Sequence, residues 1–249
     1  MIYKISSKNN DKVKYFAALK ENSTRNKEKK FIVEGFHLLE MALEKKCVDC
    51  IISLKEIKNV DSSLDQYLVS EEVLLKISST KSPQGVLAVC NMNAILNNGS
   101  YGDKVLFLDD VQDPGNVGTI IRTALAFNFK TIILGPQCCS IFNDKVLSAT
   151  QGGIFFVNFV TGNIDTLKKL KDDGYQIVAT ALRNSVLLNE YTPMKKQVII
   201  MGNEARGVAE EIQDISDVKV RIEIQNIESL NVGVATGVML QNAIERTPK

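Results

Sequence analysis

The sequence predicts an α/β protein in two parts, a smaller N-terminal unit and a larger C-terminal domain built on a mostly parallel sheet. Three observations predict it. From residue 104 onward, short apolar runs alternate with amphipathic segments, as strands buried on both faces alternate with helices that cover them. Before that point, a shorter succession of helix and strand patterns stands by itself. Between the two lies "NMNAILNNGSYGDK" (91–104), rich in Asn and Gly and without periodicity, which suits a linker. The boundaries follow as 1–93, a linker at 94–103, and 104–249.

In chain order, the first unit reads as a helix near 10–20, a basic loop "ENSTRNKEKK", a strand "FIV" and a helix over 35–46. A strand "CVDCIIS", a short strand near "QYLV", a helix over 71–78 and a strand "GVLAV" (85–89) complete it. The second domain offers the strand runs "KVLFL", "TIIL", "IFFVNFV", "YQIVAT", "QVIIM" and "VKVRIEI". Its last helix, "NVGVATGVMLQNAIER", carries Gly233, Ala235 and Gly237, small residues that admit either a packed helix or a ligand at close range.

Composition narrows the chemistry. At 249 residues, 45% hydrophobic and 24% charged, the chain has the make-up of an ordinary globular protein. No apolar run approaches the roughly 18 residues of a membrane span, and "MIYKISSKNNDK" has no signal-peptide core, so a cytoplasmic protein without membrane contact is expected. Cys47 and Cys50 have no second pair at zinc-site spacing, and Cys138 and Cys139 are adjacent; reduced thiols and no metal are expected. His37 is the single histidine and lies in an amphipathic helix pattern, which speaks against Ser–His–Asp or Cys–His hydrolysis. Net charge is only +1, yet residues 1–30 hold nine Lys/Arg against three acids. A basic end on a near-neutral chain suits either nucleic-acid contact or a solvated terminus.

Three strand ends carry the chemistry. In "DDVQDPGNVGTIIRTALAF" (109–127), Pro114 and Gly115 make a sharp turn after the strand, and Asn116 is placed to cap the next helix. Arg122, about one and two-thirds turns past Asn116, can reach back toward the strand end, where open α/β sheets bind ligands. Its guanidinium is suited to a two-pronged phosphate contact, the alternative being a plain salt bridge. In "VIIMGNEARGVAEE" (198–211), Gly202 offers backbone groups without a side chain in the way. Glu204 there is placed either to receive a helix-terminal hydrogen bond or to orient Arg122. In "VRIEIQNIESLNVGVATG" (220–237), Ser229 has N-cap chemistry ahead of Leu230 and Asn231. None of the three is a P-loop or a G-x-G-x-x-G turn, so the common ATP and dinucleotide sites, and an open Rossmann enzyme, lack support.

These segments, in this order, resemble the three motifs of the SpoU (TrmH-like) branch of the SPOUT RNA methyltransferases: "DPGNVGTIIRTA", "IIMGNEARGV" and "IESLNVGVATG". "KKFIVEGFHLLEMAL" and "SPQGVLAV" resemble the family's N-terminal substrate-binding module, a ribosomal-protein-like α/β RNA-binding domain. The resemblance implies a C-terminal α/β knot, a deep trefoil that binds S-adenosylmethionine, an exception to the unthreaded connections of most folds. It further implies a homodimer and methyl transfer to a ribose 2′-hydroxyl, in ribosomal RNA sooner than in transfer RNA. Carried over by position, Asn116, Arg122, Glu204, Ser229 and Asn231 fall on active-site positions. Ala179, Thr180, Gly202, Ile222 and Leu230 fall on cofactor-contacting ones. Two departures stand out: Gly233 replaces the family's usual Ser or Thr, and "EIQNIE" is shorter than common and lacks its usual Pro and Gly. A catalytically silent RNA-binding protein with the same fold is the alternative they raise.

Overall fold

The computed structural model of the chain describes residues 1–96 and 101–247, and these pack as two units. The expected linker, 94–103, lies in part outside the described residues, as do the last two residues of the expected second domain. Among the described residues no helix is long and apolar enough to cross a membrane.

The first unit runs β1 (Ile2–Ile5), α1 (Asp11–Ala18), α2 (Asn22–Glu28), β2 (Lys30–Glu34), α3 (Phe36–Glu44), β3 (Val48–Ser53), β4 (Asp65–Val69), α4 (Glu71–Ile77) and β5 (Val86–Asn91). Its sheet has the order β1-β4-β3-β5-β2. β4 is parallel to both neighbours, whereas β5 is antiparallel to β3 and β2. Val13 and Phe16 of α1 and Val73, Leu74 and Ile77 of α4 bury against Ile52, Tyr67, Val69, Leu87 and Val89. The segment expected as a basic loop, "ENSTRNKEKK", contains a helix, α2. It has no apolar periodicity to show because its one buried side chain is Arg25, whose guanidinium donates to the carbonyls of Leu19 and Lys20. Lys29, with φ of 54°, closes it in the left-handed conformation.

The chain continues through β6 (Lys104–Asp109), α5 (Pro114–Ala126), β7 (Thr131–Leu134), α6 (Asp144–Ala149), β8 (Asn158–Thr161), α7 (Ile164–Asp172), β9 (Gln176–Thr180) and β10 (Val186–Leu187). It ends with β11 (Gln197–Gly202), α8 (Glu210–Ile215), β12 (Val218–Arg221) and α9 (Val232–Arg246). Residues Phe142–Phe155, which include α6, pack with the first unit, where the Phe142 ring lies 4.8 Å from that of Phe31. The apolar run "IFFVNFV" is therefore divided: Gly153–Phe155 is a 3-10 turn, and only its last residues enter β8. Periodicity cannot separate a buried turn from a buried strand in so short a run.

The remaining strands form a seven-stranded sheet in the order β10-β12-β9-β11-β6-β7-β8, with every pair parallel. Burial on both faces explains the unbroken apolar runs; Val105, Leu106, Phe107 and Leu108 of β6 are all sealed from solvent. Parallel pairing also sends the strands out of the sheet on the same side. The register sets Gly202 beside Asp109 and Val220 beside Thr180.

Candidate active site

β6 ends in two buried carboxylates, and each fastens a neighbouring loop. Asp109 accepts the backbone N–H of Ala209, the residue that opens α8, at 2.7 Å. Burial pushes its carboxyl above the ordinary range, against the pull of that hydrogen bond. Asp110 takes a left-handed φ of 56°, a conformation Asp tolerates, and turns the chain sharply. Its carboxylate accepts the N–H of Gln137 at 3.0 Å and pairs with Arg206, while its carbonyl accepts the side-chain amide of Asn203 at 2.9 Å. Two loops, one after β7 and one after β11, are thus tied to one strand end. Two carboxylates closing an apolar strand must find partners, and that is the signal the sequence carries for them.

Next along the chain, α5 starts with Pro114 at its first turn and is capped by Asp113, whose Oδ1 accepts the N–H of Asn116 at 2.8 Å. Asn116, expected as the cap, is thereby released for other bonds. Its Nδ2 donates to Glu204 Oε1 at 3.1 Å, and its Oδ1 accepts from Asn231 Nδ2 at 2.8 Å. Glu204 also accepts the backbone N–H groups of Asp113 at 3.2 Å and Gln112 at 3.4 Å. Burial works to raise its pKa, but the bonds from Asn116, Asp113 and Gln112 outweigh it and hold the carboxyl below its usual range. The start of α5, with its positive dipole end, favours this carboxylate as well. Of the two expected roles for Glu204, receiving helix-terminal hydrogen bonds is the one observed; no bond joins it to Arg122.

Asn231, not Ser229, caps α9, its Oδ1 accepting the N–H groups of Gly233 at 2.9 Å and Val234 at 3.3 Å. Ser229 lies two residues too early, exposed on the loop before the cap. The line Asn231–Asn116–Glu204 therefore joins residues from all three motif segments, 88 and 115 positions apart in sequence. Arg122 is exposed on α5, and its side chain makes no hydrogen bond or ion pair among the described residues. Side chains on a helix lean toward its N-terminus, which in α5 is the end capped by Asp113.

Gly202 is required by its own loop. A Cβ there would meet Gly207 C and Val208 N at 2.2 Å, so the space it leaves is filled by the chain's own loop. That loop folds back through paired hydrogen bonds between Asn203 and Gly207. Gly233 and Gly237 serve helix packing: a Cβ on each would approach Thr119 Cγ2 at 3.0 Å and Thr123 Cγ2 at 3.7 Å, where α9 lies on α5.

Among the other expected cofactor positions, Ala179 is sealed in the core with Ile177, Val198 and Ile200, so only its backbone is available. Thr180 ends β9 and donates to the Ile200 carbonyl at 3.0 Å. Ile222 and Leu230, both half-buried, stand at the two ends of the loop between β12 and α9. Half-buried apolar side chains with backbone groups of adjacent strand ends make a donor set that fits an adenosyl group. Ser185, immediately before β10, has a buried hydroxyl without a partner among the described residues; its carbonyl accepts from Arg221 at 2.6 Å. Nothing in the sequence set Ser185 apart from other loop serines.

Residues 103–241 match the SpoU rRNA Methylase family, and residues 10–88 match the MRM3-like substrate binding domain. Over 242 residues the chain is 34% identical to the 23S rRNA (guanosine(2553)-2′-O)-methyltransferase RlmP of Bacillus subtilis, spanning 95% of this chain and 97% of that one. It is 32% identical over 145 residues to the tRNA (guanosine(18)-2′-O)-methyltransferase of Aquifex aeolicus, spanning 57% of this chain and 68% of the other. The AdoMet-bound rRNA methyltransferase of Sinorhizobium meliloti superposes with a TM-score of 0.89 at 28% identity, over 98% of each chain.

Proposed function

The chain belongs to the SpoU rRNA methylase family of S-adenosylmethionine-dependent RNA 2′-O-methyltransferases, and from that premise we propose that its substrate is a ribose 2′-hydroxyl of ribosomal RNA. The observation that carries the site assignment is the line Asn231–Asn116–Glu204, which draws the three motif segments to one edge of the sheet. Support for ribosomal over transfer RNA lies in the extent of the likenesses. The ribosomal RNA enzyme of Bacillus subtilis is matched over 95% of the chain, which takes in the N-terminal unit, whereas the transfer RNA enzyme of Aquifex aeolicus is matched over 57% of it.

When bound, S-adenosylmethionine supplies a methyl group activated on a sulfonium. Ile222, Leu230 and the backbone at Thr180 and Gly202 hold its adenosyl part on this reading. Positioning the hydroxyl carries much of the rate in such a transfer. Arg122 stays charged at every working pH, so it is a poor general base; it clamps the adjacent phosphate and polarises the hydroxyl. Ser229 and Asn231 place the ribose, and Glu204 keeps Asn116 and Asn231 fixed. A trefoil threading of the chain's last helix and a homodimer, in which a second copy covers exposed Val234 and Val238 of α9, belong to the same reading.

Mapping of 2′-O-methyl groups in total RNA from cells with and without the gene tests the substrate. One ribosomal position should lose its methyl group; loss at a transfer RNA position would overturn the ribosomal assignment. Calorimetric titration with S-adenosylmethionine separates an enzyme, which binds it, from a silent RNA binder, which does not.

A further inference from the structure

We propose that a depression at the edge of the N-terminal sheet, between β1 and the start of α1, takes one unstacked nucleotide of the RNA substrate. Its base would lie on Tyr3 and its phosphates on Lys4 and Lys12. The inference rests on the RNA-methylating reading above and adds where the first unit grips its substrate. The depression measures about 680 Å³, within the range of small-ligand sites, and Tyr3, Lys4, Asn10 and Lys12 line it.

Tyr3 is a prepared platform. Its ring stacks on Tyr67 with centroids 5.1 Å apart and planes at 19°, and Tyr67 in turn meets Phe16 edge-on at 5.2 Å. The inner ring is anchored in the core, while Tyr3 is 36% exposed on the outermost strand. An aromatic ring held this way accepts a base that has left its own stack, which is how proteins read single-stranded RNA.

The charges around the ring fit phosphate. Lys8 is paired with Glu72 and Lys14 with Asp11, but among the described residues the side chains of Lys4 and Lys12 have no hydrogen bond or ion pair. The acid on the rim, Asp65, is bonded to the amino group of Met1. Asn10 accepts the Lys12 N–H through Oδ1, which leaves its NH₂ donors unpaired for a base edge. The surplus of basic residues in positions 1–30 thus has a specific outlet here. An acidic peptide would use the lysines but has no flat group for Tyr3, so RNA is the better fit.

The test is fluorescence anisotropy with a labelled single-stranded oligouridylate of about 10 nucleotides. Tyr3→Ala should weaken binding by about 5- to 100-fold, and Tyr3→Phe should keep it within about twofold, as base–aromatic stacking requires. The double variant Lys4→Ala with Lys12→Ala should flatten the dependence of log affinity on log salt by about 1.4. Melting temperature guards against misfolding, and Tyr3→Phe rescues the ring if Tyr3→Ala proves unstable. Wild-type affinity in a folded Tyr3→Ala variant would overturn the inference, as would equal affinity for a polyglutamate peptide. If wild type methylates RNA while Tyr3→Ala binds and turns over normally, the nucleotide site alone falls. If wild type transfers no methyl to any RNA, the enzymatic reading falls first.

Discussion

Glu204 takes three hydrogen bonds, from the backbone of Gln112 and Asp113 and from the amide of Asn116, and together they use both carboxylate oxygens as acceptors. Glu204→Gln leaves one acceptor oxygen and turns an amide NH₂ toward N–H donors. Turnover should fall by about 10²-fold through misplacement of Asn116 and Asn231, with a small drop in melting temperature at neutral pH. A single-turnover rate within twofold of wild type would contradict this. The pH dependence has a definite sign. A carboxyl held below its ordinary value of 4.5 adds stability above that value and loses it as pH falls through the lower folded one. Glu204→Gln should therefore flatten the acid limb of a pH–stability profile measured by urea unfolding. Asn116, Glu204 and Asn231 were legible in the sequence because polar residues crowd where apolar strands end. Their division of labour was not: Asp113 and Asn116 are equally good caps for α5 on paper, and only the turn geometry decides which residue caps and which is freed.

At the scale of elements, the loop after β11 depends on the absence of a side chain at Gly202. Gly202→Ala would force a Cβ to within 2.2 Å of the Gly207–Val208 backbone, which cannot give way as a side chain end can. Overpacking of that kind costs about 1–3 kcal/mol, and S-adenosylmethionine affinity measured by calorimetry should drop with it. Gly237→Ala, whose Cβ would meet Thr123 Cγ2 at an ordinary 3.7 Å, should keep affinity within about twofold. Equal affinities for both variants would contradict the assigned role of the loop. Strands with unbroken apolar runs and helices with clear stripes could be read from the sequence. α2 could not, since its one buried residue is an arginine, and β10, two residues long, leaves no pattern to read.

Across the whole molecule, the α/β class and the mostly parallel sheet followed from alternating strand and helix patterns, because a buried parallel strand must be apolar on both faces. The return of Phe142–Phe155 to the first unit did not follow, since its packing joins residues more than a hundred positions apart and leaves no local trace. The site likewise is a property of the folded chain, made where parallel pairing brings the ends of β6, β9, β11 and β12 to one edge. Arg122, on the helix that starts at this edge, is an exposed cation without a hydrogen bond or ion pair among the described residues. The most direct test is therefore single-turnover transfer of labelled methyl from S-adenosylmethionine to RNA by wild type and Arg122→Lys. A two-pronged phosphate clamp predicts label on a ribose 2′-oxygen and a rate about 10²-fold lower in the variant, at unchanged melting temperature. A near-normal rate in Arg122→Lys, or label on a base, would contradict it.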